Sequence, residues 1–191
     1  FGCLRENDLF KNTWIIFTAD HGEMLGDHHM SQKNLFFEGS AHVPLLIMPP
    51  QGRSLPQNIS VEAPTDLVDL YPTILAMAGL SSPVSVSGRN LLEPVPMDRI
   101  FFGNSLNRNF CVMEEKLKLV YSAVGDHVLL FDLNTDPMEQ HNLAEDPAWQ
   151  ERKAKLWKLL LEHTAQYTPE ALDENGQFLT YEAPHFPGDV P

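Results

Sequence analysis

Asp20 and His21 stand side by side at the end of a short apolar run, Trp14 to Thr18, and Lys33 follows twelve residues after the histidine. A carboxylate oxygen beside an imidazole nitrogen suits a divalent cation: the oxygen favours Ca2+, Mg2+ or Mn2+, and the imidazole leans toward transition metals. On an ideal strand the two side chains would point to opposite faces, so both can meet one cation only where the strand ends and the chain turns. The same pair could instead cap the next element. A lysine within reach of a metal-bound tetrahedral oxyanion neutralises charge on substrate and departing oxygen, although a solvated surface lysine has the same sequence. Between these groups Asp27, His28 and His29 form a second polar knot. There a histidine could protonate a leaving group and a carboxylate could orient one, or all three could be hydrogen-bonded loop residues. Glu38 and His42 precede the next apolar run and either contact substrate or brace the loop. No His-Glu-x-x-His occurs among the eight histidines, so the zinc-protease pattern is absent.

The elements that must hold these residues can be read from periodicity. Trp14-Ile15-Ile16-Phe17-Thr18 is a continuous apolar, β-branched run that suits a parallel strand buried on both faces. In open α/β sheets ligands collect at the carboxyl ends of strands, which is where Asp20 and His21 fall. His42 to Met48 predicts a second buried strand, entered at Pro44 and stopped by Pro49-Pro50. Thr65-Asp66 offers an N-cap to a helix whose apolar stripe, Leu67 to Ala78, closes at Gly79, with Pro72 kinking it or delimiting its first turn.

Residues 81–98, rich in Ser, Pro and Val, predict a surface connection. Four short strands follow at Ile100-Phe102, Phe110-Met113, Leu117-Tyr121 and Val128-Phe131, forming a small antiparallel sheet. Asp146-Pro147 then starts a helix with Trp149, Leu156, Leu159, Leu160 and His163 on one face. The expected organisation is an α/β core part over 1–97, a small antiparallel sheet and helix over 98–167, and an extended or partly disordered tail over 168–191.

Composition narrows the partners. The 191 residues suffice for a real core, and a 43% apolar fraction is ordinary for a folded protein. Thirteen Lys and Arg against 26 Asp and Glu give a formal charge of −13, which argues against nucleic acid or an anionic membrane as partner. No apolar run is long enough to span a bilayer. Cys3 and Cys111 lack metal-ligand spacing and predict buried free thiols. With Phe1 first and a strand arriving almost at once, a piece of a longer polypeptide is expected, and export is left open between a periplasmic or secreted and a cytoplasmic protein.

Taken in order, several blocks of text resemble the sulfatase branch of the alkaline phosphatase superfamily. They are Thr18-Ala19-Asp20-His21-Gly22, then Gly26-Asp27-His28-His29 with Lys33, then Phe37-Glu38-Gly39 with His42-Val43-Pro44-Leu45-Leu46-Ile47. Asp66 to Leu75 with Ala78-Gly79, and Gly88-Arg89-Asn90-Leu91-Leu92, are similar to the family's following helix and segment. Leu130-Phe131-Asp132-Leu133, Asp136-Pro137-Met138-Glu139 and Asn142-Leu143 resemble its closing hairpin, so the likeness covers residues 13–165.

The resemblance implies the C-terminal part of an alkaline-phosphatase-like sandwich with a mostly parallel sheet, plus the small antiparallel sheet packed with a C-terminal helix. It implies metal ligation by Asp20 and His21, with Ca2+ first and Mn2+ or Mg2+ as alternatives, and contact of Lys33 with a sulfate ester. His28 and His29 are the candidate proton donors, and Asp27 and His42 further substrate contacts. The Asp-His pair and the Gly-Asp-His-His text lean toward phosphonate monoester hydrolases and choline-sulfatase-like enzymes, which keeps phosphonate monoesters and phosphodiesters as an alternative substrate class.

One departure is large. Sulfatases make a formylglycine nucleophile from Cys or Ser in a Cys/Ser-x-Pro/Ala-x-Arg motif, and Cys3-Leu4-Arg5-Glu6-Asn7, Cys111-Val112-Met113-Glu114-Glu115 and Ser85-Val86-Ser87-Gly88-Arg89 all fail it. The expectation is therefore that the nucleophile and an acidic ligand pair belong to a missing N-terminal part, a partner within the same polypeptide, and that this chain alone is inactive. The expected substrate is a small sulfate ester or a sulfated glycan, unpaired sheet edges predict self-association, and a purely structural fragment is the competing reading.

Overall fold

The computed structural model describes residues 1–33, 35–53 and 60–183, and divides the chain into two compact units. One comprises Phe1–His21 and Val43–Arg99, the other Gly22–His42 and Ile100–Pro191.

The first unit holds helix α1 (Gly2–Glu6), strands β1 (Ile15–Thr18) and β2 (Leu45–Met48), and helix α3 (Leu70–Met77). The expected strands form, but not as members of a parallel sheet: β1 and β2 pair antiparallel, with Ile15 opposite Met48 and Phe17 opposite Leu46. Nor are they buried on both faces, since Phe17 is 61% and Leu46 59% exposed. An apolar β-branched run reports that a strand can be covered twice, not the direction of its neighbour or the presence of the second layer.

Before α3, Asp66 is the N-cap of a 3-10 turn over Leu67–Asp69, and the carboxylate of Asp69 accepts from the Asp66 backbone N–H at 2.8 Å. Pro72 lies in the first turn of α3, where its missing N–H costs no intrahelical bond. Asp69 is fully buried and accepts from the Arg99 guanidinium at 2.5 Å and the Arg89 N–H at 2.7 Å. Thr73, also fully buried, accepts from the Leu91 N–H at 2.9 Å, so segment 88–99 is tied back to α3 by polar bonds.

The second unit contains the short helix α2 (Glu38–Ala41), strands β3 (Phe101–Ser105), β4 (Asn109–Glu114), β5 (Leu117–Ser122) and β6 (His127–Asp132), and helix α4 (Gln150–Tyr167). The four strands form an antiparallel meander in sequence order, as the turn signals predict. Glu115 and Lys116, both at positive φ, make the two-residue turn between β4 and β5. Asp146 caps the helix entry through the Ala148 N–H at 2.9 Å, ahead of Pro147. Leu156 and Leu160 of α4 pack with Phe110, Val112, Leu119, Tyr121 and Leu130.

The tail departs from an extended course. A 3-10 turn at Pro169–Ala171 leads to Phe178, which is buried at 7% exposure among Phe110, Tyr121 and Trp157. Tyr181 then bridges to Val124, and residues 184–191 lie outside the described residues. Ala171, Leu172 and Phe178 tie the segment to the core, apolar residues too widely spaced to show a period. Among the described residues no helix is long and apolar enough to cross a membrane.

Candidate functional site

Asp20 and His21 lie just beyond β1, after Ala19, where the chain bends. The Asp20 Oδ2 atom lies 3.3 Å from the His21 Nε2, and Asp20 Oδ1 accepts from the His21 N–H at 3.1 Å. The Asp20 side chain is 85% exposed. An exposed carboxylate and a half-buried imidazole are thus adjacent, donor types that fit a divalent cation as part of a larger set. Among the described residues no group of three or more His, Cys, Asp and Glu is gathered as a complete metal site.

The remaining predicted residues lie in the other unit, on the loop from Gly22 to Lys33 and, for His42, at the C-terminal end of α2. That loop is tightly wound: Leu25, His28, His29 and Gln32 all have positive φ, a conformation that side chains rarely adopt. It is held by Met24, 2% exposed, by the Met24 N–H on the Gln32 carbonyl at 3.1 Å, and by the Gln32 N–H on Glu23 Oε1 at 2.5 Å. Asp27–His29 form a 3-10 turn within it. The His28 ring stacks on Phe37 with centroids 4.2 Å apart, whereas His29 is exposed. Of the two candidate proton donors, His28 has its ring fixed and His29 does not.

Gly22 and Lys33, the two ends of this loop, are fastened to the same residue. The Gly22 N–H donates to the Ser40 carbonyl at 2.7 Å, and the Ser40 hydroxyl donates to the Lys33 carbonyl at 3.0 Å. A Cβ on Gly22 would lie 2.1 Å from the Gly39 carbonyl oxygen, so glycine is required for this approach. Lys33 itself is exposed.

His42 contacts Glu38, its Nδ1 atom lying 2.8 Å from Glu38 Oε2, and is 75% exposed. The sequence left Glu38 between substrate contact and bracing, and its other oxygen is committed to bracing. Glu38 Oε1 meets the Lys118 ammonium, which also bonds Glu139 Oε1 at 2.8 Å and the Phe36 carbonyl at 3.0 Å. Glu139 Oε2 accepts from the Glu38 backbone N–H at 2.6 Å. Lys118 and Glu139 are 3% and 2% exposed, which makes this a buried charge cluster. Burial alone would lower the Lys118 pKa, but the two carboxylates outweigh it and hold it above the ordinary lysine value.

Sequence reasoning missed Lys118 and Glu139 as site residues. A signal existed, since Lys118 interrupts the apolar strand Leu117-Lys118-Leu119-Val120-Tyr121 and must find partners if that strand is central. Of the two cysteines, Cys3 is exposed, against expectation, because it sits on the short helix α1, which buries no residue. Cys111 is buried, and burial above all pushes its thiol up to about 12, which removes it as a nucleophile near neutral pH.

The sulfatase family model matches residues 1–80. The chain is similar to arylsulfatase K of Xenopus laevis, 34% identical over 162 residues that cover 74% of this chain and 30% of the relative. It is 32% identical to the uncharacterized sulfatase YidJ of Escherichia coli strain K12 over 165 residues, 80% of this chain and 32% of that protein. Among solved structures, the phosphonate monoester hydrolase of Agrobacterium radiobacter matches with a TM-score of 0.69 and 30% identity, covering 92% of this chain and 40% of that one. The chain therefore spans 30 to 32% of the length of these curated relatives.

Proposed function

The chain belongs to the sulfatase family of the alkaline phosphatase superfamily, and from that premise we propose that it supplies the C-terminal share of a sulfate monoester hydrolase. The reading is carried by one conjunction. A relative named arylsulfatase K is 34% identical, and the residues after β1 set an exposed carboxylate and a half-buried imidazole 3.3 Å apart.

In this reading Asp20 and His21 hold a divalent cation, calcium by the family pattern with manganese or magnesium as alternatives. When bound, the ion supplies positive charge against the ester oxygens. Lys33 neutralises sulfate, Asp27 and His42 contact substrate, and His28 or His29 delivers the proton to the departing alcohol. The ring stacking of His28 on Phe37 favours His28 for that role, since a fixed ring needs less ordering during reaction. The attacking formylglycine and the remaining metal ligands come from another segment of the polypeptide, because none of the 191 residues lies in the nucleophile motif. The substrate class is a small sulfate ester or sulfated glycan.

The cross-strand pair Phe17 and Leu46, 61% and 59% exposed, supports the partner reading. An apolar face of this kind is covered by further α/β core or, without it, by a second copy of the chain.

In full-length enzyme carrying the nucleophile segment, Lys33→Ala is expected to lower kcat/KM for an aryl sulfate by about a hundredfold or more. Wild-type turnover by that variant refutes the Lys33 assignment, and turnover by the 191-residue chain alone refutes the need for a separate nucleophile segment. Calorimetric titration of the chain should give only weak divalent binding; a tight site would mean that other residues complete it. Similarity to a phosphonate monoester hydrolase at 30% identity favours a second reading, phosphonate monoester or phosphodiester hydrolysis. Turnover of matched sulfate and phosphonate esters by the same enzyme separates the two.

A further inference from the structure

Ser40 gathers both ends of the 22–33 loop through one carbonyl and one hydroxyl, so whatever fixes Ser40 fixes the loop. Ser40 is itself 3% exposed and sits on a helix of four residues, too short to hold its place by its own hydrogen bonds. What anchors that helix comes from far away in the sequence. Lys118 on β5 takes the Phe36 carbonyl and the Glu38 carboxylate, and Glu139 takes the Glu38 N–H, so three groups around the first residue of α2 end on two buried charges.

Glu139 is held at φ 56°, a conformation that a glutamate adopts only when its surroundings over-determine it. Buried ion clusters contribute little net stability compared with apolar residues of similar size, so this one is poorly explained by stability alone.

We infer that Lys118 and Glu139 are positioning residues of the candidate site, clamping α2 so that Ser40 sets the course of the loop bearing Asp27, His28, His29 and Lys33. Its catalytic meaning rests on the sulfatase reading above; its structural content does not. The clamp acts through backbone: it orders Gly22 and the Lys33 carbonyl, and through them the loop.

The test is residue-resolved hydrogen exchange on the 191-residue chain, comparing wild type with the double variant Lys118→Met, Glu139→Met. Replacing both buried charges by apolar side chains of similar length is expected to leave the ladder amides of Leu119 and Tyr121 within about threefold of wild type. The amides of Gly22, Glu38, Ala41 and His42 are expected to exchange about tenfold faster or more. If those four do not change, or change only in step with the ladder, the clamp is refuted.

Should the double variant not fold, wild type alone decides. Protection of the Gly22 and Glu38 amides above about a hundredfold supports the clamp, and less than that refutes it. In full-length enzyme the double variant is expected to lower kcat/KM for nitrophenyl sulfate by about tenfold. Wild-type kcat/KM with loosened amides would cut the link between clamp and chemistry. Failure of Lys33→Ala to affect turnover would sink the substrate assignment while leaving the exchange result standing, so the two failures are distinguishable.

Discussion

The most deeply buried side chains of the two compact units differ in kind, although the unit built on β3 to β6 also buries the Lys118–Glu139 pair. In the one built on β3 to β6, Val112, Leu119 and Leu130 are 0% exposed and Phe110, Tyr121, Leu156 and Leu160 only 1%. In the one built on β1, β2 and α3, the side chains at 0% exposure are Asp69 and Thr73, while Phe17, Leu46, Ile74 and Tyr71 are 46 to 61% exposed. The first is held by apolar burial, worth roughly 25 cal/mol per Å2. The second is held, among its described residues, by a polar knot, and polar knots fail differently: removing one partner strands the others.

Asp69→Ala should therefore have the largest single effect. It leaves the Arg99 guanidinium, 10% exposed, without its carboxylate and frees the N–H groups of Asp66 and Arg89. A loss of about 3 to 5 kcal/mol is expected, read by urea unfolding with Trp14 as the local probe. A loss below about 1 kcal/mol would break the comparison, because the knot would then be ornamental to that unit.

In the other unit Leu130→Ala should cost about 3 kcal/mol through the cavity it leaves beside Leu119 and Leu156, followed at the Trp157 fluorescence transition. The two numbers are close, but their chemistry is not. Leu130→Met should recover most of the second loss, whereas Asp69→Asn should recover little of the first, since an amide cannot accept from three donors through a charged fork.

Acid sharpens the same contrast at smaller amplitude. Burial opposes ionisation of Asp69, yet the hydrogen bond from Arg99 and those from the backbone N–H groups of Arg89 and Asp66 outweigh it and hold the carboxyl below its ordinary value. A carboxyl depressed on folding contributes stability that is fully present above its unfolded pKa, about 3.9, and is lost as pH falls through the folded value. The Trp14 transition should thus weaken below about pH 4 in wild type and lose that dependence in Asp69→Ala. An acid dependence unchanged by the substitution would place the responsible carboxylate elsewhere.

How far these features can be read from sequence divides along the same line. The four strands, the Asp146-Pro147 helix start and the Asp66 cap announce themselves through local periodicity and turn chemistry, which act over a few residues. The antiparallel pairing of β1 with β2 does not, because Ile15-Ile16-Phe17 would read the same beside a parallel neighbour. Phe178 is one aromatic residue without a period, and its burial depends on a cavity formed by Phe110, Tyr121 and Trp157.

At the candidate site the residues singled out for chemistry, Asp20, His21, His28, Lys33 and His42, are chosen by type and spacing alone. The residues that brace them are not legible in that way: Lys118 and Glu139 meet Glu38 across 80 and 101 positions. Ion pairing at such separation is a property of the fold, and only the cost of burying a lone lysine in β5 hints at it.

The smallest expected effect on stability falls on the most apolar surface. Phe17 and Leu46 face each other across the β1–β2 ladder and are more than half exposed, so Phe17→Ser with Leu46→Ser removes little buried area. The unfolding midpoint should move by no more than about 0.5 kcal/mol. Association should change far more, because an exposed cross-strand apolar pair on a two-stranded sheet is a template for another chain. Sedimentation at rising concentration is expected to show the parent chain self-associating and the double serine variant staying monomeric. A parent that stays monomeric at high concentration would show that Phe17 and Leu46 are tolerated in water without a cover. Serines that unfold the unit would instead mean that this face carries stability, and that its apolar residues work as those beneath β3 to β6 do.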